Sequence, residues 1–434
     1  MRKKVVVASA AAVALSLAAL VRWYTQNRQK SAAEPDSSPG STVARVATSS
    51  SATESTSPSS VTPSDTYQAA PSFAKGWKLY EDCGRPKHIC APMVHQSELA
   101  FRMLVRRYQC HLAYTPMMHA RIFVDEPNYR AREFQTCPED RPMIVQFCAN
   151  DPDILLKAAQ LVEKDCDAVD INFGCPQMIA KRGHYGSFLL EEWDLMCSLV
   201  SKLHQNLKVP VTCKIRVLDD VERTLEMARR LQAAGCAWLC VHGRTKEMIK
   251  ERIGPVDFDI IRKIKEELVI PVFANGGIET LEDVEHALNT TGCDGIMSSE
   301  GLLGNPMLFS GQNFTIEKGV ELAKEYLKLC EEYPESKAVA KAHLFKLLFP
   351  LTQAYPYLRD ILAHSTEGDI DKVMAAVDER MALMTKEEKE EIFHPTLSWY
   401  RHHRKEAKAA REAKRLAQLA AEPEEEEAQF SLFD

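Results

Sequence analysis

Ala168-Val169-Asp170-Ile171-Asn172-Phe173-Gly174-Cys175-Pro176 is the stretch on which the fold turns. A short apolar strand, Ala168 to Ile171, runs into Asn172. Gly174 then frees the backbone, a cysteine follows, and Pro176 ends the strand. That geometry presents one thiol at the lip of a barrel or sheet, next to an amide that can donate and accept. Taken alone, the stretch leaves two readings of Cys175 open: a presented, functional thiol, or a small buried hydrophobe, the common fate of a free cysteine.

Outward from this stretch one pattern recurs. From His88 to Phe309 a short β-branched or apolar run is followed by a polar loop and then by an amphipathic helical stretch. The runs are His88–Met93, Leu112–Met117, Met143–Phe147, Ala168–Gly174, Val211–Arg216, Trp238–Gly243, Val272–Gly277 and Gly295–Glu300. Helical patterns lie between them, for example Pro152–Lys164, Asp219–Ala234, Phe258–Glu267 and Thr280–Thr290. Gly235 and Gly292 sit where helix C-caps belong. Eight alternating β/α units over about 220 residues match the size of a (β/α)8 TIM barrel, an α/β fold. The alternative is an open doubly wound sheet, but no GxGxxG follows any strand.

In a barrel, chemistry collects at the C-terminal strand ends. Those ends carry Ala91-Pro92-Met93-Val94, Thr115-Pro116-Met117-Met118, Gln146, Asn172 with Cys175, Lys214 with Arg216, His242-Gly243-Arg244-Thr245, Asn275-Gly276-Gly277 and Ser298-Ser299-Glu300-Gly301. Each is weak alone; the signal is their joint placement at one end of successive strands. Asn275-Gly276-Gly277 ends the seventh run, and a helix starts near Thr280. Glycine amides and a helix N-terminus can together meet a phosphate. A plain tight turn is the competing reading. Lys214 can hold positive charge beside a ring that gains electrons, and Gln146 can hydrogen-bond a planar ring edge in both directions. Together these suit a flavin mononucleotide (FMN) across the barrel mouth, with Cys175 facing whatever stacks on it. A thiol with an ordinary pKa of about 8.5 is mostly protonated at neutral pH and can act as a general acid without a base partner.

The chain has 434 residues, 45% apolar, enough for a sizeable core, and its net charge of −7 is mild. The thirteen cysteines include no CxxC pair, and Cys90, Cys213 and Cys240 sit in apolar runs. That argues against a disulfide framework or a zinc site. It favours a reducing intracellular compartment, cytoplasmic or organellar (mitochondrial). Arg2, Lys3 and Lys4 precede an apolar run from Val5 to Val21, which is at the short limit for a transmembrane span. A secretory signal, an N-terminal membrane anchor and an organelle targeting helix compete for it; the cysteines disfavour secretion. The expected organisation is a leader over residues 1–30, a disordered Ser/Thr/Pro tether over 31–76, the barrel over 77–312, a helical domain over 313–395, and a basic helix with an acidic tail over 396–434. The stretch from Trp399 to Leu419 carries seven Lys or Arg against two Glu. Such a helix suits nucleic-acid phosphates, or is simply a solvated face neutralised by the Glu424–Glu427 run.

Taken as a set, Ala91-Pro92-Met93-Val94, Gln146, Asn172 with Gly174-Cys175-Pro176, Lys214-Ile215-Arg216, His242-Gly243-Arg244-Thr245 and Asn275-Gly276-Gly277 resemble the tRNA-dihydrouridine synthases. The stretch from Gln177 to Gly186, with Ser299-Glu300-Gly301, is most similar to the eukaryotic branch acting on uridines 16 and 17 of the tRNA D-loop. The resemblance covers roughly residues 83–350, about three fifths of the chain. It implies a flavin barrel followed by a small helical domain that grips tRNA, and a monomer. NADPH (or NADH) would reduce FMN, hydride would pass to C6 of a uracil, and Cys175 would protonate C5. Asn172 would hold the uracil edge, with Arg244 also toward the substrate; Lys181 and Arg182, in the loop just past Cys175, suit the substrate's phosphates or are a plain solvated loop. Pro92, Met93 and Val94 would lie along the flavin, Gln146 and Lys214 would bind its ring, and His242 would sit between cofactor and substrate. Asn275, Gly276, Gly277, Ser299 and Glu300 would take the phosphate. One departure stands out: many relatives carry Gly-Arg where this chain has Ser299-Glu300, so the glutamate must point away or be balanced. A small-molecule flavin oxidoreductase of the dihydroorotate type and a non-catalytic RNA-binding barrel are the alternatives. The basic tail and the Lys181-Arg182 loop favour RNA, and an intact Cys175, Lys214 and Asn275 favour catalysis.

Overall fold

The computed structural model of the chain describes residues 71–249, 252–365, 369–393 and 398–403. The apolar leader, nearly all of the tether and all of the tail beyond His403 lie outside these residues. Among the described residues no helix is long and apolar enough to cross a membrane.

Among the described residues nine short strands pair in parallel: β1 (His88–Cys90), β2 (Leu112–Tyr114), β3 (Met118–His119), β4 (Met143–Cys148), β5 (Ala168–Phe173), β6 (Val211–Arg216), β7 (Leu239–His242), β8 (Val272–Asn275) and β9 (Gly295–Ser298). The sheet closes because β1 pairs with both β2 and β9. Both β2 and β3 pair with β4, so they form one interrupted barrel strand and the barrel has eight positions. Tyr114 lies opposite Ile144 and Met118 opposite Phe147, four residues against three. The extra residue makes a bulge at Thr115-Pro116-Met117, where Pro116 has no N–H to pair. The run read from sequence as Leu112–Met117 is therefore split, because periodicity does not reveal a bulge.

Side chains alternate along a strand, so residues i and i+2 share a face. The inward faces begin apolar: Ile89, Leu112, Tyr114, Ile144, Ala168, Trp238 and Phe273 form one buried cluster. Further along the same faces come Gln146, Asp170, Asn172, Thr212, Lys214, Arg216, His242 and Asn275. The interior thus changes from oil to polar groups toward the C-terminal ends. The alternate residues, such as Phe147, Ile171, Phe173 and Ile215, pack outward beneath the helices. Helix Pro71–Asp82 closes the apolar end. Leu79, Tyr80 and Cys83 join the interior cluster. Trp77 Nε1 donates to the Val269 carbonyl at 2.7 Å, and the Tyr80 hydroxyl to that of Asp294 at 2.9 Å. A Cβ at Gly76 would lie 2.0 Å from the Ala237 carbonyl oxygen, so only glycine permits the approach.

The barrel's outer core continues without a break into the helices after β9, through Ile316, Val320, Leu344, Leu351 and Val373. The expected boundary near residue 312 is therefore not a break in packing. The junction is also polar: the Tyr326 hydroxyl donates to Glu98 Oε1 at 2.6 Å, and His343 Nε2 lies 3.2 Å from Glu98 Oε2, all three groups buried. Within the expected helical domain, the last two helices are Ile370–Leu383 and Lys386–Ile392.

Candidate active site

Strand register builds the mouth. Gln146 lies opposite Asp170, Asp170 opposite Thr212, Asn172 opposite Lys214, and Arg216 opposite His242, itself opposite Asn275. Adjacent inward positions on neighbouring strands therefore form a polar layer.

A hydrogen-bond chain ends at the cysteine. Asp170 accepts from Thr212 Oγ1 at 2.7 Å and from Gln146 Nε2 at 2.8 Å. Gln146 Oε1 accepts from Asn172 Nδ2 at 2.9 Å. Asn172 Oδ1 accepts the backbone N–H of Gly174 at 3.1 Å and of Cys175 at 2.9 Å. The Cys175 carbonyl in turn accepts from Ser187 N and Oγ. For two of these residues the structure adds partners within the protein. Gln146 is fully buried with both ends of its amide held inside the protein, and Asn172 closes the turn that carries the thiol. Sequence spacing reveals which residues face inward but not which of them satisfy one another.

Cys175 is half-buried, beside Tyr185, Phe188, Met117 and the buried Cys148. Burial pushes its thiol pKa up. Burial also raises Asp170, to about 6, against the hydrogen bonds from Thr212 and Gln146. The Lys214 side chain is buried, and its ammonium has no hydrogen-bond or ion-pair partner among the described residues. Burial lowers its pKa. Arg216 donates from Nε to the Gly174 carbonyl and from Nη1 to that of Thr245, both at 2.9 Å. Burial, then Arg244 beside it, brings its pKa to about 10. Sequence reading placed Arg216 at a strand end but gave it no role; its i+2 spacing from Lys214 on one strand face is the signal that could have. Burial and the nearby Arg216, Lys214 and Arg244 hold His242 neutral, its pKa well below the ordinary range. Arg244 Nη1 lies 3.3 Å from His242 Nε2, and since arginine only donates, that nitrogen accepts.

A cavity of about 190 Å³ opens at the ends of β7, β8 and β9, lined by Arg216, His242, Arg244, Asn275-Gly276-Gly277 and Ser298 to Gly301. Gly276 has φ +105° and Gly277 φ +72°, a backbone that favours glycine. Their amides, and that of Ser299, donate to no acceptor among the described residues. The following helix, Leu281–Thr291, opens on a capping box that engages one of its own N–H groups, that of Asp283. Asp283 Oδ2 accepts from the N–H of Glu279 and of Thr280, and Thr280 Oγ1 from that of Asp283. The glycine amides therefore add donors at this end to those of the helix start. Glu300 lines the cavity.

Pro92 and Met93 are half-buried and Val94 is exposed, in a turn after β1 closed by the Met93 N–H donating to Ser97 Oγ at 3.0 Å. Lys181 and Arg182, expected in a loop, are exposed on a short helix, Met178–Gly183, that begins three residues after Cys175.

A closed parallel barrel with this polar, cation-rich mouth is the framework of a (β/α)8-barrel enzyme. A family model described as "Dihydrouridine synthase (Dus)" matches residues 89–432. The chain is 48% identical over 309 residues to a Mus musculus protein named "tRNA-dihydrouridine(16/17) synthase [NAD(P)(+)]-like", covering 70% of this chain and 63% of that one, less than two thirds of its length. It is 46% identical over 301 residues to the Saccharomyces cerevisiae "tRNA-dihydrouridine(16/17) synthase [NAD(P)(+)]", covering 66% and 71%. A Homo sapiens "tRNA-dihydrouridine(20a/20b) synthase [NAD(P)+]-like" is 44% identical over 235 residues, covering 54% of this chain and 73% of its own. The chain belongs to the dihydrouridine synthase family.

Proposed function

We propose that this protein reduces uridine to 5,6-dihydrouridine in the D-loop of tRNA, at positions 16/17, with FMN as its flavin and NADPH or NADH as reductant. The single observation that carries the reading is Cys175: a half-buried, protonated thiol held by Asn172 at the lip of a polar barrel mouth.

The residues fit a phosphorylated flavin. Lys214 brings a buried ammonium without a partner among the described residues, and Gly276, Gly277 and Ser299 offer amides without acceptors. The cavity is smaller than a whole nucleotide needs, so it suits the phosphate end. In this reading Asn275, Gly276, Gly277, Ser299 and the Glu300 backbone take the phosphate, with Arg216 and Arg244 supplying charge. His242, neutral, accepts rather than repels. Lys214 serves the ring, with Pro92, Met93 and Val94 along it. Gln146 acts through Asn172. Bound and reduced, FMN supplies the hydride that adds to C6 of the uracil.

The chain's own chemistry is the proton. Cys175 Sγ donates it to C5, and the thiolate left behind regains one from water, to which the half-buried side chain is open. A raised thiol pKa keeps that proton in place at neutral pH. Lys181 and Arg182 on the exposed Met178–Gly183 helix meet tRNA phosphates. That pair favours a nucleic acid over a free pyrimidine as substrate.

Cys175→Ala is the test. The variant should bind FMN and let NADPH bleach it, yet leave tRNA uridine reduced at least about a hundredfold more slowly, the scale of a lost general acid. Nucleoside analysis of the tRNA reads it out. Full activity, or loss of bound flavin, removes Cys175 from the proposed role.

A further inference from the structure

Two carboxylates flank the cavity assigned to the flavin phosphate. Glu279 follows the Asn275-Gly276-Gly277 turn and Glu300 follows β9, and both line the cavity with Arg216 and Arg244. By charge alone the two acids cancel the two arginines. An anion placed there would meet a site with little net attraction.

The cancelling charge comes from a distant part of the chain. Arg401 Nε lies 2.5 Å from Glu279 Oε2. Both are partly sheltered, the side chains 41% and 24% exposed. Arg401 is held in place by its neighbours. Its N–H donates to Ser398 Oγ at 3.2 Å, the Tyr400 hydroxyl donates to Gln96 Oε1 at 3.0 Å in the turn after β1, and Lys346 lies 5.6 Å over the Trp399 ring. The segment thus spans from the loop after β1 to the loop after β8, across the rim of the mouth.

We propose that Arg401 is a positioning residue for the cofactor: it neutralises Glu279, so that the cavity keeps the net positive charge a flavin phosphate needs. This rests on the FMN reading above. The interaction is electrostatic and acts through Glu279. It should therefore matter for a phosphorylated flavin and not for the same ring without phosphate.

The experiment titrates FMN and riboflavin into full-length apoprotein and follows quenching of flavin fluorescence. The wild type tests the FMN reading itself: no FMN binding overturns that reading before Arg401 is considered. Given binding, Arg401→Ala should weaken FMN about fivefold, the size of one partly exposed ion pair, and leave riboflavin unchanged. Glu279→Gln in the Arg401→Ala background should restore the FMN affinity. Glu279→Gln alone should bind FMN as tightly as the wild type or tighter, a result that stands even if Arg401→Ala folds poorly. Equal loss for both flavins, no rescue, or weaker FMN binding by Glu279→Gln alone overturns the proposal.

Discussion

Asp170 sits where the barrel interior changes character. Below it are Tyr114, Ile144 and Trp238; above it are Asn172 and Lys214. Its carboxylate anchors a relay through Gln146 and Asn172 to the backbone of Cys175. The thiol's position is thus set two side chains away from it. Burial raises the Asp170 pKa from 3.8 to about 6, so the folded state holds its proton more tightly than the unfolded chain. The folded state then binds more protons between those values. Its contribution is fully present below about pH 3.8 and is lost as pH rises through about 6. The gap caps the effect at roughly 3 kcal/mol. Asp170→Asn, nearly the same shape and never charged, should lack this term. Urea unfolding at pH 4 and pH 7 should show the variant gaining on the wild type as pH rises. A difference between the two proteins that stays constant with pH would remove Asp170 as a strained buried acid. The stretch Ala168–Pro176 displays this aspartate but not its role, because its partners lie 24 and 42 residues away in the chain.

At the scale of elements, the eight strands and their mouth were legible because each strand carries its own apolar-to-polar gradient. Ala168 to Phe173 shows it alone: Ala168, Asp170 and Asn172 follow one another on the inward face, and Val169, Ile171 and Phe173 share the other. What was not legible depends on contacts between elements. The bulge after Tyr114 exists only relative to β4, and the plug Pro71–Asp82 looks from its own sequence like any amphipathic helix. At the start of the helix after β8, Asp283 accepts from the N–H of Glu279 and Thr280 and fixes the turn that leads into it. The glycine turn before it carries a conformational requirement. Gly276 holds φ +105°, and a Cβ there would lie 2.6 Å from the His242 ring. Gly276→Ala should therefore destabilise by about 1–3 kcal/mol and push the imidazole from its place beside Arg244. Thermal melting measures the first effect and FMN titration the second. A variant that melts with the wild type and binds FMN equally would mean the turn tolerates a side chain.

At the scale of the molecule, the helices beyond β9 share the barrel's core, and the first turn of the tail is built into the rim. The sequence presents the stretch from Trp399 to Leu419 as one basic helix, either on nucleic-acid phosphates or simply solvated. The described part, Ser398 to His403, instead packs on the protein: Tyr400 on Gln96, Arg401 on Glu279, Trp399 under Lys346, and Phe349 against His402 at 5.4 Å. Burial brings Lys346 down to about 8, so its ammonium keeps its charge less readily than a surface lysine, and Trp399 supplies a ring face to it. The two halves of the stretch should therefore separate by truncation. A chain ending at residue 403 keeps every one of these contacts and loses six Lys or Arg between 404 and 419. It should melt with the full chain and bind FMN equally. It should also bind tRNA more weakly, with a shallower dependence of affinity on salt, by about 0.7–0.9 per lost phosphate contact. A chain ending at residue 397 loses the rim as well, and should melt several degrees lower, about the scale of a 1–2 kcal/mol loss in a large domain. Differential scanning fluorimetry and tRNA binding at several salt concentrations distinguish the two. If both truncations melt alike, the rim contacts contribute no stability; if the 403 chain keeps the full salt slope, the basic residues beyond it do not touch RNA.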